Sequence, residues 1–209
     1  MEGTAPSTYI MCNWFPNNGE KAMSQLILDW LHQEPSLTFL VVVIFTFGVV
    51  FAVLGRVLVG KNPAKMIFRA SLAFGEHGSF GGAIKLAAYV SGQDLLCWGF
   101  FVGGATRYLE NDWLVIAVAI PVSVGFAFLP PHTELPEECR TRSLVAIGIG
   151  GFILALLFLK SGGWHLADLW YALVCTSAAH LWVTGLIAFS FWRASRNGAA
   201  TTEDTPLPP

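Results

Sequence analysis

Few residues in this chain stand at spacings that chemistry could use, and most of those sit inside apolar runs. Ser177 and His180 lie three apart in a hydrophobic stretch, with Asp168 about three turns earlier. A nucleophile, a base and an orienting carboxylate are thus nominally present. One continuous helix through them, however, holds Asp168 far from His180, and hydrogen bonding between packed helices is the ordinary use of such side chains. Glu76 and His77 occupy a glycine-rich stretch, Gly75 to Gly82, where they read as solvated turn residues without the further ligands a metal needs. HExxH, P-loop and GxSxG patterns are absent. The expectation is a protein that is not an enzyme, with no catalytic residue, metal site or cofactor.

Lys85, Gln93 and Asp94 are more informative, because ionisable residues in a membrane-type segment are costly and default to a pairing or functional role. Nine residues separate Lys85 from Asp94, about 13 Å along a straight helix, too far for a direct pair. A chain break at Ser91-Gly92 would bring them together as a polar seam, for an ion path or a partner helix. The plainer alternative has Lys85 snorkelling from a helix end and Asp94 capping a second half-helix. The four cysteines, Cys12, Cys97, Cys139 and Cys175, follow no CxxC spacing and read as buried or incidental thiols.

The elements that must position these residues are membrane-type helices. Of 209 residues, 54% are hydrophobic and only 12% charged, about half the charge of a typical soluble domain. A net charge of −2 gives no bulk attraction to nucleic acid. Leu37 to Gly55 is uncharged and long enough to cross a hydrocarbon core about 30 Å thick. Gly81 to Thr106 is either one kinked crossing or two half-helices, 81 to 91 and 94 to 107. Asp112 to Leu129 comes next with Pro121 inside it, ended by Pro130-Pro131. Leu144 to Leu159 presents Gly148, Gly150 and Gly151 as a close-packing surface. Leu166 to Trp192 is the last span, with Trp164, Trp170 and Trp192 at its flanks.

Two further helices are amphipathic. Between Glu20 and Gln33, Met23, Leu26, Ile27, Trp30 and Leu31 share one helical face, suited either to a membrane surface or to packing on the protein itself. Another can start at Pro63, with Lys65 and Arg69 among Met66, Ile67, Leu72 and Phe74. The expected fold is an all-α integral membrane protein of about five transmembrane helices plus amphipathic surface helices. Residues 1–36 form an outside, lumenal segment, 37–192 the membrane domain and 193–209 a disordered cytoplasmic tail.

Basic residues set the orientation, since short translocated loops avoid them. With the N-terminus outside, Arg56, Lys61, Lys65, Arg69, Arg140, Arg142, Arg193 and Arg196 fall inside, against Lys21, Arg107 and Lys160 outside. Removing the 81–106 crossing reverses that preference, which favours a full crossing.

From GRVLVG at Gly55 onward, FRASLAFGEHGSFGGAIKLAAYVSGQDLLCWGFFVGGATRYLENDWLVIAVA succeeds an apolar span with a set order of features. An arginine-bearing segment (Arg69) leads to an acidic, glycine-rich turn (Glu76, Gly81-Gly82). An aliphatic and alanine helix (Leu86-Ala87-Ala88) is then interrupted by a polar break (Gln93-Asp94). A second apolar helix ends in Arg107, and Glu110-Asn111-Asp112 turns into the next span. In this order the stretch resembles the middle of flavivirus non-structural protein 2A, over about a third of the chain, although TTEDTPLPP lacks that family's dibasic end. The resemblance implies a non-enzymatic, multi-pass protein of the host endoplasmic reticulum membrane, acting in RNA replication complex formation and virion assembly. It implies membrane-permeabilising and interferon-antagonist roles as well. Expected partners are the lipid bilayer, other viral membrane and structural proteins, viral RNA and a second copy of the chain. On that reading Arg56, Lys61, Lys65 and Arg69 contact RNA or lipid headgroups; as a plain positive-inside signal they serve topology alone. The alternative function is a cellular channel or transporter-like subunit with Lys85, Asp94 and the Pro121 kink along its path.

Overall fold

The structure, a computed structural model, describes residues 18–59, 80–129 and 137–203. The elements they form are all helical, without a strand among the described residues. In chain order they are α1 (Asn18–His32), α2 (Leu37–Val59), α3 (Phe80–Asp94), the π-helix π1 (Leu95–Val102), α4 (Gly103–Tyr108), α5 (Asp112–Ala127), α6 (Glu137–Phe158), the π-helix π2 (Leu159–Gly163) and α7 (Leu169–Glu203).

Local chemistry sets the boundaries. Pro35 cannot continue α1, and Ser36 starts α2 by accepting the Phe39 N–H on its Oγ at 3.2 Å. Asn111 caps α5 in the same way, accepting from the Trp113 N–H at 2.9 Å. Between α6 and α7 the chain reverses at Gly162, the one described residue at positive φ (107°), a conformation that disfavours any side chain.

The helices pack antiparallel. His32 meets Asp112, Arg107 Nη1 donates to the Trp164 carbonyl at 3.0 Å, and Lys160 reaches the last turn of α1. The segments 33–36, 109–111 and 164–168 therefore share one end of the bundle. α7 is its hub, touching α2, α3, π1, α6 and π2. Glycines allow the close approaches. A Cβ on Gly150 would meet the Phe51 ring of α2 at 2.9 Å, one on Gly151 the Phe126 ring of α5 at 2.9 Å, and one on Gly48 the Trp182 indole of α7. The glycine surface expected of the 144–159 span thus divides between two neighbours.

Among the described residues three helices, over Leu37–Leu54, Arg140–Gly163 and Leu169–Ile187, are long and apolar enough to cross a membrane, and Asp112–Ala127 is a shorter apolar helix. Three sequence expectations change. Residues 80–108 form one uninterrupted helical rod, so Ser91-Gly92 is no break and the two half-helices do not form. Helical backbone continues through α7 to Glu203, in place of the disordered tail expected from 193; Ala194, Ala199 and Ala200 favour helix, and the first proline comes only at 206. Of the apolar face expected on α1, only Leu31 turns inward, joined by Leu28, while Met23, Leu26, Ile27 and Trp30 face out. The surface helix expected from Pro63 lies outside the described residues.

Gly162 offers a direct test of the reversal. A Cβ there would stand 2.6 Å from Asp168 Cβ, on a backbone already in the left-handed region. Gly162→Ala is expected to cost about 1–3 kcal/mol, read as a lowered midpoint of thermal unfolding in detergent. Asp168→Ala should give no relief, because the collision is with Cβ.

Candidate functional site

The site grows from one acidic residue at the middle of the 80–108 rod. Asp94 closes α3 where the helix widens into π1, and its side chain is completely buried. A π-segment shifts the register of the residues beyond it and recurs at functional positions. The Trp98 indole aims back one turn, with Nε1 donating to Asp94 Oδ1 at 2.9 Å. From the opposing helix α7, His180 Nδ1 lies 3.0 Å from the same oxygen. An ionised carboxylate oxygen accepts, and the Nδ1–H tautomer of the imidazole is the one that donates to it. His180 is itself 6% exposed.

An aromatic and glycine floor closes the site. The Phe126 ring lies 5.4 Å from Trp98 and meets the His180 ring edge to face at 5.3 Å. Gly151 passes close to both Phe126 and Trp98. Along α7, Thr176, His180 and Thr184 recur every fourth residue and are all buried, one polar stripe down the hub helix. Thr176 returns its hydroxyl to the Ala172 carbonyl at 2.8 Å. Ser123 of α5 does the same to Ala119 at 2.6 Å, so these hydroxyls cross the apolar interior at little cost. Asp94 Oδ2, by contrast, is buried with no hydrogen-bond partner among the described residues. That oxygen can accept a further donor.

Of the expected polar seam, Gln93 and Asp94 are buried and Lys85 is exposed. Gln93 turns to its own helix, donating to the Tyr89 hydroxyl at 2.9 Å. The unbroken rod separates Lys85 from Asp94, and Asp94 caps no half-helix with its side chain. Its partner is His180, which the sequence suggested only beside Ser177 and Asp168; Asp168 instead stands exposed in the 164–168 turn. Arg56 falls in the last turn of α2, and Lys61, Lys65 and Arg69 lie outside the described residues. Cys97 and Cys175 are buried free thiols.

Two participants escaped sequence reasoning. Trp98 stands four residues after Asp94, a spacing at which helical side chains meet, so a local signal existed. Lys160 counted only as a loop charge. It is 5% exposed, and its ammonium donates to the Trp30 and Gln33 carbonyls and lies 4.9 Å from the Trp30 ring centroid. The cation thus closes the C-terminus of α1, where a positive charge complements the helix dipole.

Fold and site together define an all-helical bundle of membrane type with a carboxyl–imidazole pair at its centre. No family model, curated protein or solved structure matches the chain.

Removing one member of a buried pair strands the other. Asp94→Ala is expected to cost about 3–5 kcal/mol, and Trp98→Phe, which deletes one hydrogen bond to a carboxylate, about 1.5–3 kcal/mol. Asp94→Leu combined with His180→Leu should be less damaging than the sum of the two single changes, with a coupling of about 0.5–3 kcal/mol. Thermal unfolding of the parent protein, the two single leucine variants and the double variant in detergent gives the cycle. Strict additivity would show that the two side chains do not act as a pair.

Proposed function

We propose that the chain is a five-crossing, non-enzymatic membrane protein with a translocated N-terminus, a component on which other membrane proteins assemble. The carrying observation is the outward face of α2. Val41, Val42, Phe45, Val49, Val50 and Val53 are exposed along it, a surface suited to lipid and to partner helices. Two further crossings join the three long apolar helices. One is α5. The other is the rod from Phe80 to Tyr108, roughly 40 Å long at helical rise, which links the two ends of the bundle.

The flavivirus-like order of features supplies the biological setting: a host endoplasmic reticulum membrane, RNA replication complex formation and virion assembly, with RNA contacted from the 56–69 basic segment. Glycosylation acceptors inserted at 109–111 should be modified, and those at 131–136 should not; modification of the second site overturns five crossings. Neutralising Lys61, Lys65 and Arg69 together should weaken RNA crosslinking in a salt-dependent way. Unchanged crosslinking would leave those residues a topological role alone.

A second reading, a channel or transporter-like subunit, is favoured by Asp94 Oδ2 and by the Thr176, His180, Thr184 stripe. Under it, purified protein in liposomes dissipates an imposed pH gradient, and Asp94→Asn slows the decay at least tenfold. A decay equal to that of protein-free liposomes would eliminate this reading.

A further inference from the structure

Helix α1 carries three faces. At about 100° per residue, the inward pair Leu28 and Leu31 centres about 120° from the outward apolar residues Met23, Leu26, Ile27 and Trp30. Gln25 and Asp29, joined by a hydrogen bond of 2.9 Å, point about 110° from the first set and about 130° from the second. The inward face is settled: Leu31 is 2% exposed, and Lys160 holds the last carbonyls of the helix. His32 adds a stack on Trp164 at 4.4 Å and a contact with Asp112 at 3.0 Å. The helix is therefore fixed in rotation on the end of the bundle. Its outward apolar face is consequently fixed too, with Leu26 66% exposed.

A helix at the end of a water-soluble bundle needs two faces, one inward and one polar. A third, apolar face is expected where protein, water and lipid meet along one helix. That face also runs on into the outward surface of α2, because Trp30 packs edge to face on Phe39, ring centroids 6.2 Å apart, in the first turn of α2. We infer that α1 is an interfacial helix whose Met23, Leu26, Ile27 and Trp30 face sits in the headgroup and acyl boundary of the bilayer. The inference rests on the membrane-embedded reading of α2, and its test keeps the two apart.

Full-length protein, with Cys12 and Cys139 replaced by serine, would be spin-labelled singly through Leu26→Cys, Gln25→Cys and Val49→Cys in phosphatidylcholine nanodiscs. Val49, on the outward face of α2, reports the membrane reading. The expected result is a Val49 label accessible to oxygen and closed to a water-soluble nickel chelate, and a Leu26 label of the same character about 5–10 Å below the headgroup level. The Gln25 label should be open to the chelate. A Leu26 label as open to the chelate as the Gln25 label, with Val49 closed to it, overturns the interfacial helix and spares the membrane reading. A Val49 label open to water overturns both. Short distances between Leu26 labels on two copies, seen by dipolar spectroscopy, would show that a second chain covers the face and would also overturn the inference. Adding Lys160→Met should make the Leu26 label more mobile, and unchanged mobility would count against the fixed seat.

Discussion

A carboxyl group at the centre of an apolar bundle must draw its donors from the helices around it, and Asp94 takes one from each side of a helix interface. Trp98 supplies the first from one turn further along the same chain segment, and His180 supplies the second from α7. The second bond crosses the interface and ties the rotation of the two helices: turning either by one residue, about 100°, would carry the donor or the acceptor out of reach. Much of the interior is set by that constraint. With the Trp98 ring held, Phe126 has one place beside it, and Gly151 must be bare for α6 to approach both. With α7 held, Thr176 and Thr184 are committed to the interior on the same stripe. Nonpolar packing alone constrains rotation less sharply, because apolar faces tolerate small slips that a buried hydrogen-bonded pair does not.

Close approach of the backbones complements this. Gly48 admits the Trp182 indole and Gly150 admits the Phe51 ring, so ring-into-glycine contacts join the buried Leu40 and Phe47 in seating α2 on the bundle. The opposite face of α2 stays outward and apolar. In water such a face would drive aggregation, and in a bilayer it is the natural outer surface.

Legibility from the sequence depended on the range of the interactions involved. Uncharged runs such as Leu37–Leu54 announce helices of membrane type, because composition over some twenty residues is a local property. Helix stops at Pro35 and the cap at Asn111 are local too. Asp94 and His180 each stood out as polar residues in apolar surroundings, but 86 residues separate them, and no local pattern says which of several buried polar groups will meet. The break anticipated at Ser91-Gly92 shows the opposite error. Polar and small residues there weaken an isolated helix, yet packing keeps the rod helical, with Val90 buried on one side and the Asp94 bonds on the other. On α1, periodicity marked a single apolar face. It had no means of showing that Leu28, one residue off that face, is the neighbour the bundle uses.

Two buried ionisable centres invite opposite conclusions about purpose. The Lys160 ammonium donates to two carbonyls and faces an aromatic ring, so its donors have acceptors and its charge meets the negative end of a helix. Those contacts serve to hold α1. At Asp94 the balance differs. Both donors converge on Oδ1, while Oδ2, equally buried, is left without one among the described residues, a deficit that costs about 1–3 kcal/mol in a protein interior. Apolar side chains of similar volume could fill the same space without that deficit and hold helices together as well or better. A purely structural role therefore gives Asp94 less reason to be acidic than Lys160 has to be basic. That asymmetry, more than the burial of either residue, makes the pair with His180 the part of the molecule where chemistry is to be sought.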